Sequence, residues 1–186
     1  MDLEKIKKGV TLILEGIGED PEREGLLRTP ERVADFYDEF FSGIHKDPQK
    51  EIRVFNTKNH DEMIILRDLS FVSMCEHHLL PFFGHAHIAY IPDSNRIVGF
   101  SSLVRVIETL AKRPQLQERM TTDIADFIIE AIKPKGIMIV LEAEHMCMTI
   151  RGVKKPGSKI LTSAIRGMMR QAPSRAEAYN LIMQNH

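Results

Sequence analysis

The chain of 186 residues has only two cysteines, too few for a disulfide framework in a protein of this size. It has no apolar run approaching the roughly 18–20 residues that a membrane-spanning helix needs. It has no excess of either charge: 25 Lys+Arg stand against 26 Asp+Glu, a formal −1 with eight His uncounted. That balance removes any global pull toward nucleic acid or an anionic membrane, so an anion site must be a local patch. Residues 1–10 are charged and periodic, without the basic-then-apolar layout of a signal peptide. The expectation is a cytoplasmic, soluble protein with no nucleic-acid and no membrane partner. There is no internal repeat and no low-complexity tract. What is present, 43% apolar and 27% charged residues, is ordinary globular usage and excludes wholesale disorder. The length suits one medium domain with its own core.

Leu3, Ile6, Val10, Ile13, Leu14 and Ile17 recur at helical spacing, and Gly18 is a stop signal. Thr29-Pro30 reads as N-cap and first helical residue of a second helix, running through Phe40 to Gly43. Residues 1–45 are therefore expected to form a helical arm ahead of a main domain over 46–186. The period then changes to short runs rich in Ile, Val, Phe and Tyr. Strands are expected over 51–56, 62–74, 85–91, near 96–99, and over 137–144, 146–151 and 158–166. Two consecutive helices fall between them, around 103–110 and 116–132, and Ser174 with Glu177 forms a capping box for a last helix. Strands in blocks favour an antiparallel α+β sheet. Its edges need covering, and oligomerisation is a common way to cover them.

The chemistry concentrates around the two cysteines. Cys75 and His78 sit three apart at a strand end, a spacing that lets both reach one ion from a turn. Thiolate plus imidazole is a donor set that Zn²⁺ favours. Cys147 is the third donor, which leaves a tetrahedral position open, as a catalytic zinc requires to hold and acidify water. The bland alternative is two unremarkable thiols or one disulfide. His77 adjoins the ligand turn, and His145 stands two residues before Cys147, hence on the same face of an expected strand. Imidazoles are the usual proton carriers near neutral pH. His85 and His87 alternate on a strand and read as ordinary strand residues. Ser101, Ser102 and Arg105 open a helix, an arrangement suited to an anion. Glu118 offers a carboxylate at a helix start, and Arg151 is a further candidate phosphate contact.

In order, Cys75-Glu76-His77-His78-Leu79, Pro81-Phe82-x-Gly84, Ala89-Tyr90-Ile91-Pro92, Val98-Gly99-Phe100-Ser101, Arg113-Pro114-Gln115-x-Gln117-Glu118-Arg119 and His145-Met146-Cys147-Met148-x-x-Arg151-Gly152-Val153 resemble the GTP cyclohydrolase I family. Thr29-Pro30-Glu31-Arg32-Val33-Ala34 fits as well, so the likeness spans about residues 28–170. The resemblance implies an α+β T-fold, an antiparallel sheet backed by two consecutive helices, in a toroidal homodecamer of two pentamers with active sites between subunits. It implies conversion of GTP and water to 7,8-dihydroneopterin triphosphate and formate, the entry to folate and pterin synthesis. Carried over, Cys75, His78 and Cys147 match zinc ligands, and His77 and His145 match proton-transfer histidines. Glu118 matches the guanine anchor with Gln117 beside it, while Ser101, Arg105, Arg151 and Arg32 match triphosphate contacts. Ser102 stands where the family usually has Lys, and His85 where it commonly has a basic residue; both remove cationic charge from the expected triphosphate pocket. The competing expectations are another T-fold enzyme of pterin or 7-deazapurine metabolism, and a zinc-stabilised purine-binding module without turnover.

Overall fold

The structure, a computed structural model, describes residues 1–57 and 61–183. The chain divides into two compact units, Met1–Ser42 and Gly43–His186.

In the first unit, helix α1 (Leu3–Gly16) opens on Asp2, whose carboxylate accepts the Lys5 amide. It closes at Ile17, followed by Gly18 at φ +87°, a left-handed stop that only glycine adopts freely. Helix α2 spans Thr29–Phe40 with Pro30 in its first turn. Thr29 is not its cap as expected. The Thr29 amide already donates to Leu26 O at 2.8 Å, so the chain is turning one residue earlier and Arg28 takes the cap position. Val10, Leu14 and Ala34 are buried, whereas Ile13 and Ile17 on the expected buried face of α1 are 64% and 69% exposed. One partner helix covers only a narrow stripe of another.

In the second unit, Pro48–Glu51 forms a 3₁₀ turn capped by Asp47. Strands β1 (Val54–Asn56) and β4 (Arg96–Val98) make a small antiparallel ribbon. The main sheet has the order β5-β2-β3-β6-β7. Strands β2 (Ile64–Cys75), β3 (Leu80–Ile91), β6 (Gly136–His145) and β7 (Lys159–Gly167) pair antiparallel, and the two-residue β5 (Pro114–Gln115) runs parallel beside the end of β2. Helices α3 (Phe100–Ala111) and α4 (Gln117–Ile132) follow one another before β6. A single turn α5 (Met146–Thr149) and helix α6 (Ala172–Met183) complete the described chain.

Strand β6 reads Gly-Ile-Met-Ile-Val-Leu because both of its faces are covered. Ile137, Ile139 and Leu141 join Ile88, Tyr90 and Phe82 against Leu103, Leu110, Met120, Ile124 and Ile128 of the two helices. The alternate residues Met138 and Val140 join Ala178 and Ile182 of α6 on the opposite face. Each such side chain contributes about 1.5–3 kcal/mol when fully buried. Strands β3 and β6 approach closely at Gly84, where a Cβ would lie 1.9 Å from Glu142 O.

Several expected boundaries differ; strand β1 begins at Val54, not 51, because Glu51 closes the 3₁₀ turn. Strand β3 begins at Leu80, not 85, because Pro81 sits near its start, where only β2 pairs with it. Residues 146–149 form a helical turn, not a strand, closed by the Ile150 amide on Met146 O at 3.0 Å. Beyond the Phe82↔His145 pair the neighbouring strand offers Pro81, which has no N–H to extend the ladder. Ser174 lies inside α6, since the Arg175 amide bonds Gln171 O at 3.0 Å and so starts that helix earlier.

His87 is buried on β3, and its Nδ1 accepts the amide of Asp68, a residue at φ +56° in the β2 irregularity between Leu66 and Leu69. Burial pushes the imidazole below its ordinary pKa; the Asp68 and Glu142 carboxylates oppose this, and His85 and Arg67 reinforce it. A depressed imidazole favours the neutral folded form. Its contribution is complete above the unfolded value of about 6.5 and is lost as the pH falls through the lower folded value. Chemical denaturation from pH 8 downward should show stability falling below about pH 6.5. His87→Gln should flatten that part of the profile; an unchanged slope would remove His87 as its source.

Candidate metal centre and active site

A four-residue turn, Glu76–Leu79, joins β2 to β3 across the Cys75↔Leu80 pair. The Leu79 amide donates to Cys75 O at 2.9 Å, and Leu79 takes φ +49° to close the turn. The turn is braced from α4. Arg119 ion-pairs with Glu76, donates from Nε to Gln115 Oε1 at 3.1 Å and from Nη2 to Pro114 O at 3.2 Å. The Glu76 amide bonds Gln115 O at 3.1 Å, and Gln115 in turn donates to Leu110 O at 2.9 Å. The Arg119 hydrogen bond holds the Glu76 carboxyl below the usual carboxylate range.

The Phe82↔His145 register brings the end of β6 beside the start of β3, and the chain then winds into α5. Cys147 on that turn meets Cys75 and His78, with the three ligand atoms all within 4.8 Å of one another. Cys75 Sγ and His78 Nδ1 are 4.0 Å apart. A tetrahedral Zn²⁺ site has ligand edges of roughly 3.5–3.8 Å, so closing on an ion takes a contraction of about an ångström. Burial first, then the adjacent Cys75, pushes the Cys147 thiol above its ordinary pKa, while Arg151 pulls the other way. A cation between the two sulfurs would offset that upward push on Cys147, which is the donor chemistry a divalent metal satisfies. Among the described residues no fourth His, Cys, Asp or Glu joins the group. The cluster can thus hold a metal ion with a position left open.

His145 sits at the strand end, half-buried, with the Phe82 ring stacked on it at 4.5 Å and 6°. Its Nε2 lies 2.7 Å from Gln117 Oε1. Gln117 is 1% exposed, and its amide nitrogen lies 3.1 Å from Leu141 O, 3.0 Å from Ile160 O and 3.1 Å from Thr162 Oγ1. Burial pushes the His145 imidazole below its ordinary pKa, and the Glu118 carboxylate opposes this. Glu118 itself is exposed in the first turn of α4. His77 is exposed on the ligand turn, its ring 6.2 Å from that of His78.

The structure thus gathers Cys75, His78 and Cys147, and separately joins His145 to Gln117. The shared strand face expected for His145 and Cys147 does not exist, because α5 starts between them. Gln117 uses its whole carboxamide inside the fold. Ser101 is exposed at the start of α3, but Ser102 is buried, its Oγ accepting the Arg53 amide and Arg105 Nη2, each at 3.1 Å. Arg105 also ion-pairs with Glu51 at 3.1 Å. The far end of α3 packs on β2 two residues before Cys75, where Ala111 O accepts from Ser73 Oγ at 2.7 Å. At 1.5 Å per residue Ser101 and Arg105 stand about 9–15 Å along the helix from that end. Arg32 belongs to the first unit. His85 is exposed and His87 is tied to Asp68, so neither enters the cluster. Sequence reasoning missed Phe82 and Arg119 as supports, although both lie in the quoted motifs; nothing in the local pattern points to Thr162. A cavity of about 600 Å³ lies between β6, β7 and α6, lined by Met138, Val140, Ile165, Ala176 and Tyr179; Thr162 is the one member of these groups that borders it.

An open three-donor metal cluster beside a half-buried histidine, on an antiparallel sheet backed by two helices, is the equipment of a metal-dependent hydrolase. The family model of GTP cyclohydrolase I matches residues 6–183. The GTP cyclohydrolase 1 of Thermoanaerobacter pseudethanolicus is 57% identical over 183 residues, covering 98% of this chain and 97% of its own. That of Clostridioides difficile is 57% identical over 184 residues, with 98% and 97% covered. Among solved structures, the apo form of the archaeosine synthase QueF-Like covers 56% of this chain and 93% of its own at a TM-score of 0.41 and 14% identity, too slight a likeness to carry an argument. The chain belongs to the GTP cyclohydrolase I family. Its members are hydrolases whose reaction is the zinc-dependent opening of the guanine imidazole ring of GTP, forming 7,8-dihydroneopterin triphosphate and formate.

Metal content measured on purified protein checks the cluster. Cys75→Ala and Cys147→Ala should each lose most of a stoichiometry near one ion per chain, because two donors hold a divalent ion poorly. Full metal content in both variants would remove these residues as ligands.

Proposed function

We propose that Cys75, His78 and Cys147 hold Zn²⁺ and that the surrounding side chains carry out ring opening of GTP at this centre. The observation that carries the reading is the three-donor cluster without a fourth protein ligand among the described residues. Zinc bound there supplies Lewis-acid activation, lowering the pKa of water toward about 7. The remaining work falls to the chain. The Glu118 carboxylate accepts the guanine N1–H and 2-amino N–H; adenine lacks this donor pair and would leave the carboxylate unpaired. Discrimination of order 10⁴ is reached in such sites. His77 or His145 donates a proton to N7, which makes C8 open to attack, and the same pair carries protons as the C8–N9 and C8–N7 bonds are lost and C8 departs as formate. The ribose then rearranges and the ring recloses, with one net water consumed. Ser101, Arg105, Arg151 and Arg32 bind the triphosphate.

The distance along α3 from Arg105 to the helix end near Cys75, and the edges of β7 and most of β2 left unpaired among the described residues, support a site completed by a second copy. We infer a homo-oligomer, the toroidal decamer of two pentamers that the family resemblance implies, with residues 1–45 as its arm and 46–186 as the catalytic domain, acting in the cytoplasm on GTP. Ser102 and Glu51 take up much of the hydrogen-bonding capacity of Arg105 within one chain, so triphosphate binding has to recruit the guanidinium from these partners.

Two measurements test this. Glu118→Ala should raise KM for GTP roughly a hundredfold or more, since two charge-assisted hydrogen bonds go, while metal content stays unchanged. A near-normal KM would mean that guanine is read elsewhere. Co-expressing Cys75→Ala with Arg105→Ala chains should restore turnover that neither variant has alone, because hybrid interfaces contain one intact set. Absence of any restoration in verified hetero-oligomers would place both residues of a working site in one chain.

A further inference from the structure

We propose that Gln117 is a positioning residue that fixes the neutral tautomer of His145 with its proton on Nε2, leaving Nδ1 as the nitrogen that gives and takes protons. The inference rests on the proton-transfer role given to His145 above and deepens it.

The argument is one of donors and acceptors. The Gln117 side-chain atom assigned as nitrogen lies 3.1 Å from Leu141 O and 3.0 Å from Ile160 O. Backbone carbonyls only accept, so the atom facing two of them must be the NH₂ group. An amide rotated by half a turn would set its oxygen against two carbonyl oxygens, with no hydrogen between the facing acceptors. Thr162 Oγ1, the third neighbour at 3.1 Å, agrees with this orientation. The Thr121 hydroxyl donates to Gln117 O at 2.6 Å, so across the 2.7 Å contact with Thr162 it accepts. The Thr162 proton is thus committed to Thr121, and its lone pairs face the Gln117 amide. Every hydrogen in the chain of contacts has one direction.

Gln117 Oε1 is consequently an acceptor, and the His145 nitrogen 2.7 Å from it must donate. That excludes the neutral form with hydrogen only on Nδ1. It allows the neutral Nε2–H form and the imidazolium, which differ by one proton at Nδ1. His145 can therefore pass between donor and acceptor states without breaking its bond to Gln117. The Phe82 ring, stacked at 4.5 Å, holds the plane of the imidazole during the exchange. Among the described residues Nδ1 has no hydrogen-bond partner, so it is the nitrogen available to substrate. Gln117 is 1% exposed with its whole amide engaged, which makes it a support for His145 and not a guanine contact.

The test uses metal-loaded protein with ¹⁵N-labelled histidine at mildly alkaline pH, with the His145 signals assigned by their loss in His145→Gln. Long-range ¹H–¹⁵N correlations should show a protonated Nε2 and a bare Nδ1; the opposite pattern overturns the proposal. Gln117→Met keeps the side-chain length but removes the acceptor. It should mix the two tautomers and lower kcat about ten- to a hundredfold, the usual cost of removing an orienting partner. KM for GTP should stay within about twofold and metal content should be unchanged, because neither guanine nor metal is touched by the change. An unaltered kcat with an unaltered tautomer would also sink it. If Gln117→Met does not fold, the wild-type spectrum alone decides. The spectrum does not depend on the substrate, so absence of GTP turnover in the wild type would overturn the functional reading without touching the tautomer.

Discussion

The register of β3 against β6 is the constraint on which the rest of this molecule depends. Phe82 stands opposite His145, and Gly84 opposite Ala143 with no room for a Cβ at the crossing. That pairing brings the end of β6 to the turn that follows β2, so two cysteines 72 residues apart reach one ion. A slip of one residue would exchange the faces of every side chain on the strand. Ile137, Ile139 and Leu141 would leave the helices, and His145 would leave Phe82. The buried pattern and the metal cluster are thus held by the same set of strand contacts.

Helix α4 supplies the second organising element through three consecutive residues. At 100° per residue, Gln117, Glu118 and Arg119 point in three directions. Gln117 turns into the sheet and ties β6, β7 and His145 together. Arg119 turns to the ligand loop and pairs with Glu76. Glu118 remains exposed with its carboxylate near enough to influence His145. The carboxylate proposed to read guanine and the two residues flanking it are therefore carried on one turn of helix, with their relative positions set by helical geometry.

Charge is distributed unevenly across this arrangement. Burial first, and then the neighbouring Cys75, keeps the Cys147 thiol above its ordinary pKa, while Arg151 lies close enough to favour the thiolate. Of the other candidate anion residues, Ser101 and Arg105 sit along α3, where Arg105 is occupied by Glu51 and Ser102, and Arg32 belongs to the first unit. A single copy thus sets the donor cluster apart from the proposed triphosphate residues on α3, while among the described residues much of the outer sheet edges is unpaired and Leu12, Ile13 and Ile17 of α1 are exposed. Both features follow if the working unit contains several chains.

The donor group of Cys75, His78 and Cys147 was legible in the sequence because thiols and imidazoles in a chain with only two cysteines have few other uses in common. Cys75 and His78 lie on one turn, and Glu118 lies at a helix start whatever surrounds it. The strand-and-helix order was legible because hydrophobic periodicity records which face is buried. The boundaries that failed are those decided by a neighbour: Met146–Thr149 coils where β3 sets Pro81 beside the continuing chain, and β3 starts early because Leu80 and Pro81 lie where only β2 pairs with them. The partnership of Gln117 with His145 and Thr162 was illegible, because three distant segments must fold together before a buried amide has anything to bond. Local chemistry determined what the residues can do; only tertiary packing, which assigns each buried donor its acceptor, decided which atom of each residue is free to do it.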